Sequence, residues 1–100
     1  MRAPMPASVK VGPHTYAVLR KAGIGYNGEC VFDSLQITVK QRLRRSKAKE
    51  ILLHEVMHAC THPSLNGNKR YSDEDFVDGV TPTLLQVLQD NPELIAFLTT

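Results

Sequence analysis

One hundred residues, 42% hydrophobic and 22% charged, support one modest core, so the expectation is a single domain rather than a coiled coil or a disordered chain. No apolar run approaches membrane-spanning length and the first ten residues lack the apolar stretch of a signal peptide, so the expected setting is the cytoplasm, with no membrane partner. The net charge of +2 hides an uneven distribution: residues 1–50 hold ten Lys and Arg against three acids, and residues 51–100 hold two against seven.

Residues 1–8, with two prolines and no periodicity, read as a flexible leader ahead of a domain over residues 9–100. Val9-Lys10-Val11, a Gly12-Pro13 turn and Thr15 to Leu19 predict a hairpin of two short strands. Gly23-Ile24-Gly25-Tyr26-Asn27-Gly28 matches G-x-G-x-x-G, but a dinucleotide site needs a helix opening directly after it. Glu29-Cys30-Val31-Phe32 instead continues as an extended run, so the stretch reads as a glycine-rich loop between strands. After an Asp33-Ser34 turn, Leu35 to Val39 alternates at period two and predicts the best strand of the chain. Its position just before the central helix suggests a sheet edge beside a cleft, where an extended peptide could add by backbone hydrogen bonds.

Residues 40–49 (KQRLRRSKAK) carry six basic side chains and lead into a helix with Ser46 as its expected N-cap. A nucleic-acid surface is one reading. The absence of interleaved aromatics favours a solvated entry segment, although positive charge at a helix start opposes the macrodipole and so leaves room for a partner surface.

The helix itself, Ile51 to Thr61 (ILLHEVMHACT), is apolar on most of its circumference, and at 100° per residue His54, Glu55 and His58 occupy one arc of about 100°. Two imidazoles at i and i+4 stack one turn apart and can reach one metal ion. The carboxylate between them is aimed differently, which suits a base rather than a ligand. Zinc takes neutral imidazole readily and lowers the pKa of a water in its open position towards neutrality, so a carboxylate suffices to deprotonate it. The competing explanation is a merely wet helix stripe; with four His and five Glu, H-E-x-x-H arises by chance roughly once in a hundred such chains. Cys30 and Cys60 make no disulfide framework and read as reduced packing residues.

His62-Pro63 is expected to end this helix, and residues 64–70 to form a polar loop. Ser72 with Asp75 reads as a capping pair for a second helix. Phe76, Val77, Val80, Leu84, Leu85, Val87 and Leu88 give its period, and a kink or break is predicted near Thr81 because of Pro82. Asn91-Pro92-Glu93 opens a short last helix through Phe97 with Asn91 as cap.

A catalytic zinc needs a third protein ligand. His62 lies about 12 Å beyond His54 along a straight helix, so it cannot join without unwinding, and His14 reads as an exposed turn residue. Glu74 and Asp78 share a face of the second helix, and Glu74 shares it with the core-type Val77, which turns Glu74 inward as the candidate ligand. Asp78 is the candidate acceptor for the second ring N–H of a ligand histidine. The competing reading is that Asp73, Glu74 and Asp75 only complement the helix dipole.

His54-Glu55-x-x-His58 followed by Glu74-x-x-x-Asp78 resembles the gluzincin pattern. More narrowly, LLHEVMHAC, DEDFVDGVTPTLLQVL and DNPELIAFL resemble small, often phage-encoded members of the ImmA/IrrE-like metallopeptidases, a likeness that covers about half the chain. It implies an α+β, minimal zincin-like domain: a small antiparallel sheet of about three strands packed on the H-E-x-x-H helix, with a Pro-kinked second helix and a short third. It also implies zinc held by His54, His58 and Glu74, with Glu55 as general base and acid. The chain departs from larger members in carrying Val77-Asp78 where they have Ala-Asn, and in lacking their separate DNA-binding or sensing domain.

The expectation is therefore a zinc-dependent endopeptidase acting on peptide or protein substrates in the cytoplasm, the host's if the chain is phage-encoded. Tyr71 is the first candidate to stabilise the oxyanion, with Tyr26 and His62 behind it. The alternative is a non-catalytic module that keeps this fold and binds a host or regulatory protein.

Overall fold

The computed structural model describes residues 2–65 and 73–100, with backbone alone for 63–65, 73 and 74. Four strands, β1 (Ser8–Val11), β2 (His14–Lys21), β3 (Gly28–Val31) and β4 (Gln36–Lys40), precede three helices, α1 (Arg45–Leu65), α2 (Asp73–Asp90) and α3 (Pro92–Thr99). The class is α+β, with one open sheet of order β1-β2-β4-β3.

β1 and β2 form the expected antiparallel hairpin, with Val9 opposite Tyr16. β4 does not lie at the edge. It is central, parallel to β2 and antiparallel to β3. The sheet therefore has four strands and is mixed, where about three antiparallel strands were expected. The loop and strand over residues 22–31 provide the reason: β3 folds back onto the outer side of β4 and takes the edge position itself. A central strand is shielded on both flanks, so Thr38, in register with Leu19 and Glu29, is buried alongside Ile37 and Val39. The G-x-G-x-x-G stretch is a loop running into a strand, as its sequel required, with Gly23 at φ 72.

α1 packs across β3, β4 and β1, and α2 packs on α1 and β1. One core joins Val9, Ile37 and Val39 of the sheet to Leu52, Val56 and Cys60 of α1, Val80 and Val87 of α2, and Leu94 and Phe97 of α3. At about 1.5–3 kcal/mol for each fully buried aliphatic side chain, this core is what fixes α1 on the sheet.

Several local expectations change. The Ala48 N–H bonds the Arg44 carbonyl, so α1 starts at Arg45 and Ser46 lies inside its first turn rather than capping it. α1 also runs through Pro63 to Leu65. α2 continues through Pro82 without a break, and the Thr81 hydroxyl donates to the Val77 carbonyl at 2.6 Å, one turn before the proline. Ser72, of the expected capping pair, lies outside the described residues.

Asn91 precedes α3 as expected, but its side chain does not cap it. Its amide accepts from Lys10 N at 2.7 Å and donates to Lys10 O at 2.9 Å and Val87 O at 2.8 Å, tying β1 to the end of α2. Of the expected leader, Ser8 opens β1, and residues 2–7 have no regular structure yet are packed on the domain: Met5 contacts the core, Ala3 N donates to Thr100 Oγ1, and Arg45 donates to Ala3 O. No helix among the described residues is long and apolar enough to cross a membrane.

Candidate metal centre

α1 is covered on one side only, rather than interior on nearly every side. Ala48, Leu52, Val56, Ala59 and Cys60 are buried, whereas Leu53 is 41% exposed and His54 and His58 face solvent. The helical period sets this: the two histidines are four residues apart and so share the face that the sheet does not cover.

The Nε2 atoms of His54 and His58 stand 3.1 Å apart, the rings meeting edge to face at 78° with centroids 4.7 Å apart. Two imidazoles on one tetrahedral zinc at 2.0–2.1 Å have nitrogens about 3.3 Å apart, so the pair fits that ion with little movement. Without an ion, the same separation allows one ring N–H to donate to the other nitrogen.

Glu55 is turned to the sheet. It is only 6% exposed and lies against Gly28 at the start of β3, where a side-chain Cβ would come within 2.5 Å of Ile51 Cγ2, 3.0 Å of Glu55 Oε2 and 3.1 Å of Thr38 O. Gly28 is therefore the residue that lets α1 approach β3 closely enough to seat the carboxylate. Its role was not legible in the sequence, where it appeared only as the last glycine of a loop. One atom each of His54, Glu55 and His58 lie within 4.8 Å of one another, the one such group of three among the described residues.

Val77 is 51% exposed rather than core, so the argument that turned Glu74 inward beside it does not hold; the side chain of Glu74 lies outside the described residues, and Asp78 is exposed. Tyr71 also lies outside the described residues. His62 is stacked on Phe32, centroids 3.7 Å apart and planes 9° apart, one turn beyond His58 on an unbroken helix, and so stays out of the group. His14 is exposed at the start of β2. Tyr26 donates to Glu29 Oε2 at 2.9 Å, and that bond raises the Tyr26 pKa.

Neither thiol belongs to the group of three that could hold the ion. Burial, then the charge of Glu55, then Cys60 push Cys30 up to about 11, and burial alone pushes Cys60 up to about 11, so neither forms a thiolate near neutrality. Beyond His62, a cavity of about 200 Å³ is lined mainly by Val11, Tyr16, Phe32, Leu35 and Ala59, with His14 and Asp33 at its polar side. No family model, curated protein or solved structure matches the chain.

Proposed function

We propose that the chain is a minimal zinc-dependent endopeptidase, of the ImmA/IrrE-like kind that its motifs resemble. The observation that carries the reading is the pairing of two imidazole nitrogens 3.1 Å apart with a buried carboxylate from the residue between them. Zinc, when bound, would supply a Lewis acid and a water of near-neutral pKa. His54 and His58 would hold it, with Glu74 of α2 as third ligand; α1 and α2 pack directly on each other, as a ligand set drawn from both requires. Asp78 would orient a ligand imidazole from outside, and Tyr71 would donate to the oxyanion.

Glu55 takes the proton of the attacking water and returns it to the leaving amine. Its low exposure supports this role, since a carboxylate between helix and strand is held in one orientation. β3 is the sheet edge beside α1, so an extended peptide laid along it would pass over Glu55, and the apolar cavity beyond His62 offers space for one of its side chains.

The experiment is turnover of a fluorogenic peptide library by the zinc-loaded chain and by Glu55→Gln. Cleavage by the parent, with none by a variant that still holds zinc, is expected. Zinc retained in both with no difference in turnover would leave only a non-catalytic binding role.

A further inference from the structure

The cations of this chain gather at one end of the fold, and the gathering is wider than the basic run in sequence. β2 and β4 are parallel, so their last residues lie side by side: Lys21 is in register with Lys40, and the Arg20 guanidinium donates to the Lys40 carbonyl at 3.1 Å. Only residues 41–44 separate β4 from α1, which holds the start of that helix at the same end. The leader returns there too. Arg45 grips the Ala3 carbonyl, and Arg2 lines a shallow cavity of about 400 Å³ with Arg44, Arg45, Lys49, Ser46 and Thr100.

Three segments distant in sequence thus bring their positive charges together, and no acidic side chain lines the cavity. Among the described residues the one ion pair in this region is Lys47 with Glu50, at 3.3 Å and exposed. The first turn of α1 has no acidic residue, so these cations also oppose the helix dipole. Mutual repulsion and the dipole both disfavour the arrangement in isolation, and a polyanion seated across it relieves both.

The spread of charge over leader, β2, the linker and α1 fits a chain of phosphates better than one small anion. No aromatic side chain lines the cavity, and Phe97 is covered by Arg45 at 4.8 Å, so no platform exists there on which unpaired bases would stack. Of the large exposed apolar residues, Val77, Leu85 and Leu88 lie on α2, Leu53 is one turn beyond Lys49 on α1, and Tyr26, next to the Asn27 whose carbonyl accepts from Lys40 N, donates its hydroxyl to Glu29, so they form no single apolar wedge at this end for a lipid surface. We propose that this end of the fold binds the phosphate backbone of double-stranded nucleic acid without reading its sequence.

The test is fluorescence anisotropy of the full chain with a labelled duplex of about 20 base pairs over a salt series. Neutralising four or five phosphates predicts an affinity loss of roughly 100- to 500-fold between 50 and 200 mM salt. Lys21→Glu with Arg44→Glu, both at exposed positions, one at the end of β2 and one in the linker before α1, is expected to weaken binding at least tenfold and flatten the salt dependence. Arg42 sits at φ 66, so Arg42→Gly is expected to keep or raise the melting temperature while lowering affinity, which separates charge from folding. His54→Ala is expected to bind as the parent does, which separates this surface from the metal centre. No binding at 50 mM salt, affinity unmoved by the double reversal, or tighter binding to vesicles of phosphatidylglycerol than to the duplex would overturn the proposal.

Discussion

Glu55 and Gly28 occupy one contact between helix and strand: a Cβ on the glycine would lie 3.0 Å from the Glu55 carboxylate and 2.5 Å from Ile51. Gly28→Ala should therefore cost about 1–3 kcal/mol by overpacking, read as a lower denaturation midpoint. It should reduce turnover while leaving zinc stoichiometry unchanged, because the atoms that a Cβ at this position meets belong to Ile51, Glu55 and Thr38 and not to the exposed His54 and His58. An alanine variant as stable and as active as the parent would mean that the carboxylate is not held against β3.

Asn91 makes three hydrogen bonds from one buried amide, two to Lys10 and one to Val87. Asn91→Ala leaves the Lys10 N–H and the Val87 carbonyl without side-chain partners, so a loss of about 2–4 kcal/mol is expected. For a domain of this size each kcal/mol lowers Tm by about 4–8 °C, which thermal unfolding resolves easily. A change under about 1 kcal/mol would show that β1 is tied to α2 by other contacts.

Cys30 and Cys60 have thiols raised to about 11 in the folded chain, against 9.0 in the unfolded one. A raised pKa means that the folded state disfavours the thiolate. The stability linked to these thiols is thus fully present below pH 9.0 and is lost as pH climbs through about 11. Denaturant midpoints should fall across that window, and iodoacetamide at pH 8 should label both cysteines in urea but neither in buffer. Rapid labelling of Cys60 in the native chain would contradict its burial.

Zinc bound by the folded chain alone must stabilise it by mass action, about 2.7 kcal/mol at a hundredfold excess over Kd. A melting curve should therefore move up with zinc in the parent and in Glu55→Gln, and stay in place in His58→Ala. An equal shift in all three would place the ion elsewhere.

Much of this was legible in the sequence because local pattern and tertiary demand agree. Val9 and Tyr16 flank a Gly-Pro turn and pair as the hairpin, and the i, i+4 histidines meet as helical geometry dictates. Properties that depend on distant neighbours were not legible. Whether Leu35 to Val39 lies at an edge depends on where residues 28–31 return, and Asn91, apt for a cap, is drawn off by Lys10. Val77 follows the helical period of core residues, yet it lies on the uncovered side of α2. The approach of Glu55 to Gly28 joins residues 27 apart in sequence and leaves no periodic trace.

The central claim is a metal ion held by the two imidazoles of α1, and elemental analysis of the purified chain beside His54→Ala and His58→Ala tests it most directly. The account predicts one zinc per parent chain and loss of it in both variants, with the fold intact by circular dichroism. A parent chain that takes up no zinc, or variants that keep it in full, would contradict it.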